Sequence, residues 1–461
     1  MTNSFTVPDW IKEAVFYQIF LDRFANGDLT NDPPGTQPWE TPPDREHFCG
    51  GDLQGIFDHL DHLVDLGVTA LYLTPIFQAR SNHKYDTCDY LTVDPASGSK
   101  ELLRRLVDAC HARGIRVILD AVFNHCGDGF WAFEDLREHG AASAYADWFF
   151  TGGFPIQQDP PNYQTCGGAG FLPKLNIAIP AVRDYLLHVS RYWLEEAHTD
   201  GWRLDVPWKV SLDFWREFRQ VVKTANPEAY IVGEVWRDPE PWLAGDTCDG
   251  IMNYPLRDAI LDYCVRDTMD AEDFDYFTGR LRQVYGTANP FQLNLLGSHD
   301  TPRLLTLCNG DVSRAILAII AQFTAVGVPM VYYGDEIGLE GENDPGCRGC
   351  MPWESQTWNK ALLDVYQTLI RTRREHPALR SDSLEPIQIF NGIYAYRRIF
   401  KDDQVAVVLN PRQAQQNISL PLAGPETWLE VFSGQVFHCP EGMLQLDRLS
   451  ARTALVLVPK Y

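Results

Sequence analysis

Positive charge is scarce in this chain. Its 461 residues hold 39 Lys and Arg against 62 Asp and Glu, a formal net charge of −23. A nucleic-acid binder needs a basic face that can displace counterions from phosphates. The balance therefore argues against a nucleic-acid partner, and by the same Coulombic reasoning against anionic membranes and phosphorylated substrates. A neutral polymer is not penalised. Long apolar runs are lacking as well. Only Ala315 to Tyr333 suggests a membrane span, and it is interrupted by Gln322, Thr324, Gly327 and Pro329. It reads as a buried helix, a turn and a short strand. The segment Met1 to Pro8 is polar and has no basic start leading into an apolar run, so no secretion signal is expected and the reading is cytoplasmic. The Asn417-Ile418-Ser419 sequon then carries no meaning.

Cysteine is neither abundant nor arranged. The eleven residues are odd in number and scattered, and Cys347 and Cys350 form a single C-x-x-C with no second pair. This predicts free thiols in a reducing compartment, not a zinc site or a disulfide framework. There is no G-x-S-x-G and no G-x-G-x-x-G between a strand and a helix, so a serine-hydrolase elbow and a dinucleotide fold have little support. Internal repeats and low-complexity tracts are absent.

What is present is a chain 45% apolar with 13 Trp, 19 Tyr and 24 Phe. Its length fits two or three domains. Most aromatics belong to cores; a minority can offer a flat face to the apolar side of a sugar. Short strand-like runs occur at Val15 to Phe20, Val68 to Leu73, Ile115 to Leu119, Gly201 to Leu204, Tyr230 to Val232, Gly250 to Asn253, Gln292 to Leu296 and Pro329 to Tyr333. Helical spacing lies between most of them, as in Asp52 to Leu66, Ala181 to Ala197 and Leu212 to Val222. Ser99 can cap a further helix that Gly114 ends. Eight strands alternating with helices predict an α/β fold, a (β/α)8 TIM barrel, with a doubly wound open sheet as the alternative. Between Asn124 and Pro180 the repeat is lost to Gly, Pro and aromatic residues, which predicts an inserted domain after the third strand. From about Ser383 short β-like runs (Ile387 to Ile389, Gly392 to Arg397, Val405 to Leu409, Ala454 to Val458) predict a C-terminal antiparallel β-sandwich domain. The expected division is a barrel over residues 1–123 and 177–382, an insertion over 124–176 and a terminal β-domain over 383–461.

Three acids follow strand-like segments: Asp205 after Gly201-Trp202-Arg203-Leu204, Glu234 after Tyr230-Ile231-Val232-Gly233, and Asp300 after Ser298-His299. Parallel barrel strands bring such positions to one mouth. Any one acid there could be a helix cap; three together point to chemistry. Strand period puts Arg203 and Asp205 on one face, where a guanidinium favours an ionised carboxylate or simply forms a structural ion pair. Glycoside cleavage needs one ionised and one protonated carboxyl, so Asp205 can attack while Glu234 protonates the leaving oxygen. His125 and His299, also after strands, can donate to sugar hydroxyls or be ordinary buried polar residues. The stretch Asn26-Gly27-Asp28-Leu29-Thr30-Asn31-Asp32 is rich in hard oxygen ligands suited to calcium, or is a plain Asn/Asp turn. It lacks EF-hand spacing.

Asp120-Ala121-Val122-Phe123-Asn124-His125, Gly201-Trp202-Arg203-Leu204-Asp205, Gly233-Glu234-Val235-Trp236 and Ser298-His299-Asp300 stand in the order of the four signature segments of the α-amylase family, which the chain resembles from about Trp10 to Trp353. Leu172-Pro173-Lys174-Leu175-Asn176, Met252-Asn253-Tyr254-Pro255 and Tyr17-Gln18-Ile19-Phe20 running into Asp22 to Asp28 resemble its cyclomaltodextrinase, neopullulanase and maltogenic amylase branch. The resemblance implies a retaining α-glucan hydrolase with Asp205 as nucleophile, Glu234 as acid/base and Asp300 holding ring hydroxyls. It places Arg203, His125 and His299 around the cleaved sugar, Tyr85 stacked beneath it, and Asp344 and Arg348 on its non-reducing side. It implies a structural Ca2+ held by Asn26, Asp28, Asn31, Asp32, Gly50 and Asp52.

Two features depart from that branch. Barrel-like sequence starts about ten residues in, where the branch carries an N-terminal β-domain. A homodimer would then use another surface, and the expectation is a more open cleft that accepts longer or branched glucans. Val206-Pro207-Trp208-Lys209 ends in lysine where the branch often has an acid, which leaves the acceptor side and the bond type open. Trp208 is either a stacking platform there or a packed barrel residue. Within the fold, a transferase or isomerase using sucrose or maltose, or a non-catalytic sugar binder, are the competing readings. The full set of acids with Arg203 and both histidines counts against the last.

Overall fold

The computed structural model describes residues 7–460, so of the polar segment at Met1 to Pro8 residues 1–6 lie outside the described residues. Eight parallel strands form the central sheet: β1 (Phe16–Ile19), β2 (Ala70–Leu73), β3 (Arg116–Ala121), β4 (Gly201–Leu204), β5 (Tyr230–Gly233), β6 (Gly250–Ile251), β7 (Leu293–Asn294) and β8 (Val328–Tyr332). Each pairs in parallel with its neighbours, and β1 pairs with both β2 and β8. A parallel bridge between Met252 and Leu293, with Asn253 N–H donating to the Leu293 carbonyl at 2.8 Å, closes the ring between β6 and β7. The sheet is a barrel, and the open doubly wound alternative is excluded.

Both strand faces are buried, which explains why the strands read as short continuous apolar runs and not as alternations. One parity points into the lumen: Phe16, Ala70, Tyr72, Ile118, Tyr230, Val232, Leu293, Val328 and Met330 form one core. The other parity (Tyr17, Ile19, Leu71, Leu73, Val117, Leu119, Trp202, Leu204, Ile231) packs outward in the larger core shared with the helices. Period two then carries the lumen-facing row upward from Ile118 to Asp120, to Arg203 and Asp205, and from Val232 to Glu234.

The expected helix over Asp52 to Leu66 is two, Leu53–Asp58 and Leu60–Leu66. The break is at His59, whose backbone (φ −110°, ψ 17°) leaves helical geometry while its ring packs on Trp353 at 3.7 Å and its Nδ1 pairs with the Gly55 carbonyl at 2.9 Å. Ser99 does cap Lys100–His111, accepting from Leu102 N–H at 3.1 Å. Ala315 to Tyr333 is the end of helix Val312–Thr324, a turn and β8. No helix of the described residues is long and apolar enough to cross a membrane.

The segment after β3 contains a helix that periodicity did not reveal, Trp131–His139. The rest is tied by isolated antiparallel bridges, among them His125 with Lys174, Phe149 with Leu175 and Thr151 with Tyr163. At the C-terminus a six-stranded antiparallel sheet runs β9 (Glu385–Phe390), β10 (Ile393–Phe400), β11 (Asp403–Asn410), β16 (Thr453–Pro459), β13 (Thr427–Glu430), β14 (Val436–His438), and faces a two-stranded sheet of β12 (Gln415–Pro421) and β15 (Met443–Leu449). Alternation in β10 and β11 divides the faces. Ile393, Ala395, Ala406 and Val408 meet Leu420, Leu444 and Leu446 of the small sheet; Tyr394, Tyr396, Val405 and Val407 belong to the barrel's core.

Candidate active site

The lumen's polar rim is organised by one guanidinium. Arg203, fully buried on β4, donates from Nη1 to both oxygens of Asp120 (2.9 and 3.0 Å) and to Asp205 Oδ1 (2.9 Å). Its Nη2 lies 2.9 Å from Glu234 Oε2 as an ion pair, without hydrogen-bond alignment. Asp205 and Glu234 thus flank the two terminal nitrogens of one side chain. Glu234 also accepts from Val206 N–H (Oε2, 2.9 Å) and from the Trp236 indole (Oε1, 2.8 Å). Val206 reaches that position through a left-handed backbone, φ 35°, a strained conformation for a β-branched residue. Trp236 stacks on Tyr254 at 3.6 Å.

Asp300 is not at a strand end. β7 stops at Asn294, and a loop carries Asp300 back to the rim, its N–H resting on Ser298 Oγ at 3.3 Å. Its Oδ2 lies 3.1 Å from His299 Nε2 and its Oδ1 3.5 Å from Arg348 Nη2. Gln18 Nε2 donates to His299 Nδ1 at 2.7 Å, which leaves the ring proton on Nε2. Nε2–H faces Tyr85 Oη at 2.6 Å, and Tyr85 donates in turn to Asp120 Oδ2 at 3.0 Å. The Tyr85 and His299 rings are parallel, 5.4 Å apart. Tyr72 gives Asp120 a further donor at 2.6 Å. His125 is buried, with Nδ1 beside Asn124 Nδ2 at 3.2 Å and Nε2 bonded to nothing. Arg348 is held by the His299 carbonyl (2.9 Å) and by Asp344 (2.9 Å), and Asp344 also meets Arg45 at 2.9 Å. All these positions gather at one rim. Trp208 sits just beyond, in the Pro207–Lys209 turn, 44% exposed, so it is not a packed barrel residue.

Burial pushes the Asp205 carboxyl well above the usual range, the Arg203 guanidinium pulls it back, and Glu234, Asp120 and Asp300 push it up again. Burial and Glu234 push Asp300 up to about 7 against the pull of Arg203 and Arg348. A third of the Asp300 side chain still meets solvent, which moderates that push. Asp120 is also raised, by burial first, against Arg203 and its tyrosine donors. So dense an acid cluster titrates as a unit and keeps a proton near neutrality. Burial drives the other way in the imidazoles, to about 4 for His125 and well below the usual value for His299. Both are neutral donors.

The calcium candidates also converge. Asn26 donates to Asp32 at 2.8 Å and Asn31 to Asp52 at 2.8 Å, while the Oδ1 atoms of both asparagines are buried and bonded to nothing. Gly50 has φ +88°, and a Cβ there would lie 2.3 Å from both Asn26 and Asp32. Asp52 is saturated: Gly27 and Gly55 N–H donate to Oδ1, Asp28 N–H and Asn31 to Oδ2. Asp28 Oδ1 accepts from Thr30. Among the described residues no three His, Cys, Asp or Glu side chains make a metal cluster by themselves. The two orphaned amide oxygens nevertheless fit a hard cation.

A closed (β/α)8 barrel whose rim holds three carboxyls around one arginine, with a fourth, Asp300, beside them, defines the class, a glycosidase-type carboxylate site. Residues 18–382 match the family model for the alpha amylase catalytic domain, and residues 386–451 that for the maltogenic amylase C-terminal domain. The chain belongs to the α-amylase family and is a glycoside hydrolase. It is 47% identical over 465 residues to a cyclomaltodextrinase of Geobacillus thermopakistaniensis, covering 100% of this chain and 77% of that one. To neopullulanase 2 of Thermoactinomyces vulgaris it is 46% identical over 454 residues, covering 96% and 77%. The solved cyclic α-maltosyl-(1→6)-maltose hydrolase of Arthrobacter globiformis superimposes with TM-score 0.91 at 44% identity, covering 98% of this chain and 100% of that one.

Sequence reasoning missed five neighbours: Gln18, Tyr72, Asp120, Trp236 and Tyr254. Asp120 had a signal, since it opens the His125 segment on the lumen-facing parity of β3. Tyr72 and Gln18 had none, because their polar atoms are interpretable only once the lumen is known.

Proposed function

We propose that the chain cleaves α-1,4-glucosidic bonds, and α-1,6 bonds as a second activity, in maltooligosaccharides, cyclodextrins, pullulan or starch, by double displacement with retention. The observation that supports this most is Arg203, which brings Asp205 and Glu234 to its two terminal nitrogens, each at 2.9 Å. The bond to Asp205 favours charge on that carboxylate, the nucleophile. Glu234 protonates the departing oxygen, then takes a proton from the water that releases the sugar. Asp300, with His299 and Arg348 behind it, binds ring hydroxyls. The unpartnered His125 Nε2 awaits a hydroxyl, and Tyr85 lies beneath the sugar. Asp344 holds Arg348 on the non-reducing side, and Trp208 offers an exposed face to the acceptor. Asn26, Asp28, Asn31, Asp32, Gly50 and Asp52 would hold calcium, which would pin the loop that precedes the first barrel helix. Eleven free thiols suit a reducing cytoplasm.

Product analysis on cyclodextrin, pullulan, starch and sucrose tests the reading. Maltose and glucose from cyclodextrin and starch, and a trisaccharide that retains the α-1,6 bond from pullulan, each released in the α-anomeric form, are expected. Turnover of sucrose alone, or β-anomeric products, would refute it.

A further inference from the structure

We propose that the C-terminal β-domain carries a second α-glucan site, a groove between the end of β9 and strand β12; the inference rests on the α-glucan reading above. The groove is shallow and open, about 530 Å3 when the solvent at its mouth is counted, so a ligand there lies along the surface and is not enclosed. Phe390 stands 55% exposed on it. Around that ring lie Gln388, Asn391, Gln415, Gln416 and Asn417, and no charged residue lines the groove. Gln415 Nε2 donates to the Asn391 carbonyl at 3.1 Å. Among the described residues the side-chain amides of Gln388, Asn391, Gln416 and Asn417 bond to no protein group.

A ring and uncommitted amides that both donate and accept make the chemistry of a neutral polyhydroxylated ligand: the apolar pyranose face lies on Phe390 and the hydroxyls meet the amides. An anion would find no cation there. A peptide strand would find a poor edge, because Pro386 lacks an N–H and the pairing of β9 with β10 shifts register between Pro386 and Gln388. The polymer the active site takes is the ligand that fits. Such a site would hold the polymer on the protein without touching the reacting bond.

The test is affinity electrophoresis of the full chain in native gels with and without amylopectin, using Asp205→Asn so that the polymer survives. Asp205→Asn alone should be retarded. Adding Phe390→Ala should weaken retention roughly ten-fold, the scale of one lost aromatic contact, and Gln388→Ala with Asn391→Ala should weaken it in the same direction. In the active chain Phe390→Ala should raise KM on amylopectin and leave kcat/KM on maltotriose unchanged. Equal retention with and without Phe390→Ala, or no retention of the parent, overturns the groove. Maltotriose turnover by the unaltered chain separates the readings: if it is present while the variants bind alike, only the groove falls; if it is absent, the α-glucan reading falls.

Discussion

At Asp205 one side chain meets opposing demands, charge for attack and burial that resists charge. Asp205→Asn should lower turnover by at least about 10³-fold with Tm and near-UV circular dichroism unchanged, since its neighbours already hold Arg203 through Asp120. Near-normal hydrolysis by that variant would remove it from the nucleophile role. Asp335 shows the same physics away from substrate. Burial raises its carboxyl from 3.8 to about 7 despite Arg303 at 2.9 Å. Between those values the folded chain holds a proton that the unfolded chain has released. Stability from this group is therefore highest at low pH and declines as pH rises from about 4 to 7, by a few kcal/mol in all. The Tm of Asp335→Asn should vary less over that interval than that of the parent, and parallel Tm curves would contradict the assignment.

At the scale of elements, the site depends on two tethered loops. Lys174, from the insertion, donates to the Lys209 carbonyl at 2.9 Å and to Asn124 at 3.2 Å. It thereby fixes the turn that starts at Val206 and hence the Val206 N–H on Glu234. Lys174→Met should cost roughly ten-fold in kcat/KM without lowering helix content; a variant with parental kinetics would show that the turn holds itself. The loop from Asn26 to Asp52 is the other. If calcium sits there, chelation should lower Tm and added Ca2+ restore it, and Gly50→Ala, which drives a Cβ into Asn26 and Asp32, should abolish the response. A Tm indifferent to chelator would leave Asn26 and Asn31 as a plain turn.

At the scale of the molecule, the barrel and the β-domain are joined through Arg398. It is fully buried on β10 and donates to five carbonyls of barrel and linker: Thr324 and Ala325 at 2.7 Å, Leu379 at 3.2 Å, Ser381 at 2.6 Å, and Ser383. Arg398→Met would take the donor from all five carbonyls, of which Leu379 keeps Arg373 at 2.7 Å, a loss on the order of 3 kcal/mol. Denaturant unfolding should show it as a lower midpoint. An unchanged midpoint would mean that the remaining contacts, among them Tyr394 with Asp275 and Tyr263 with the Gly392 carbonyl, both at 2.9 Å, carry the junction.

The sequence alone determined the eight strands, the identity of the three acids and the switch to β-structure after the barrel. These rest on local signals: apolar runs bounded by turn residues, and acids placed just past them. Helix Trp131–His139 and four of the C-terminal strands escaped, because Gly and aromatic residues around the first and exposed polar residues in the others mask the period. The break at His59 was hidden too, since only Trp353, far along the chain, makes it favourable. Tertiary structure alone decided that Asp300 returns to the rim on a loop, that Arg203 serves three carboxyls, and that Tyr72, Tyr85 and Asp120 form one relay with His299. The reason is geometric: strand period tells which face a residue takes, but only ring closure sets which faces meet, and charge in a dry lumen depends on every neighbour at once.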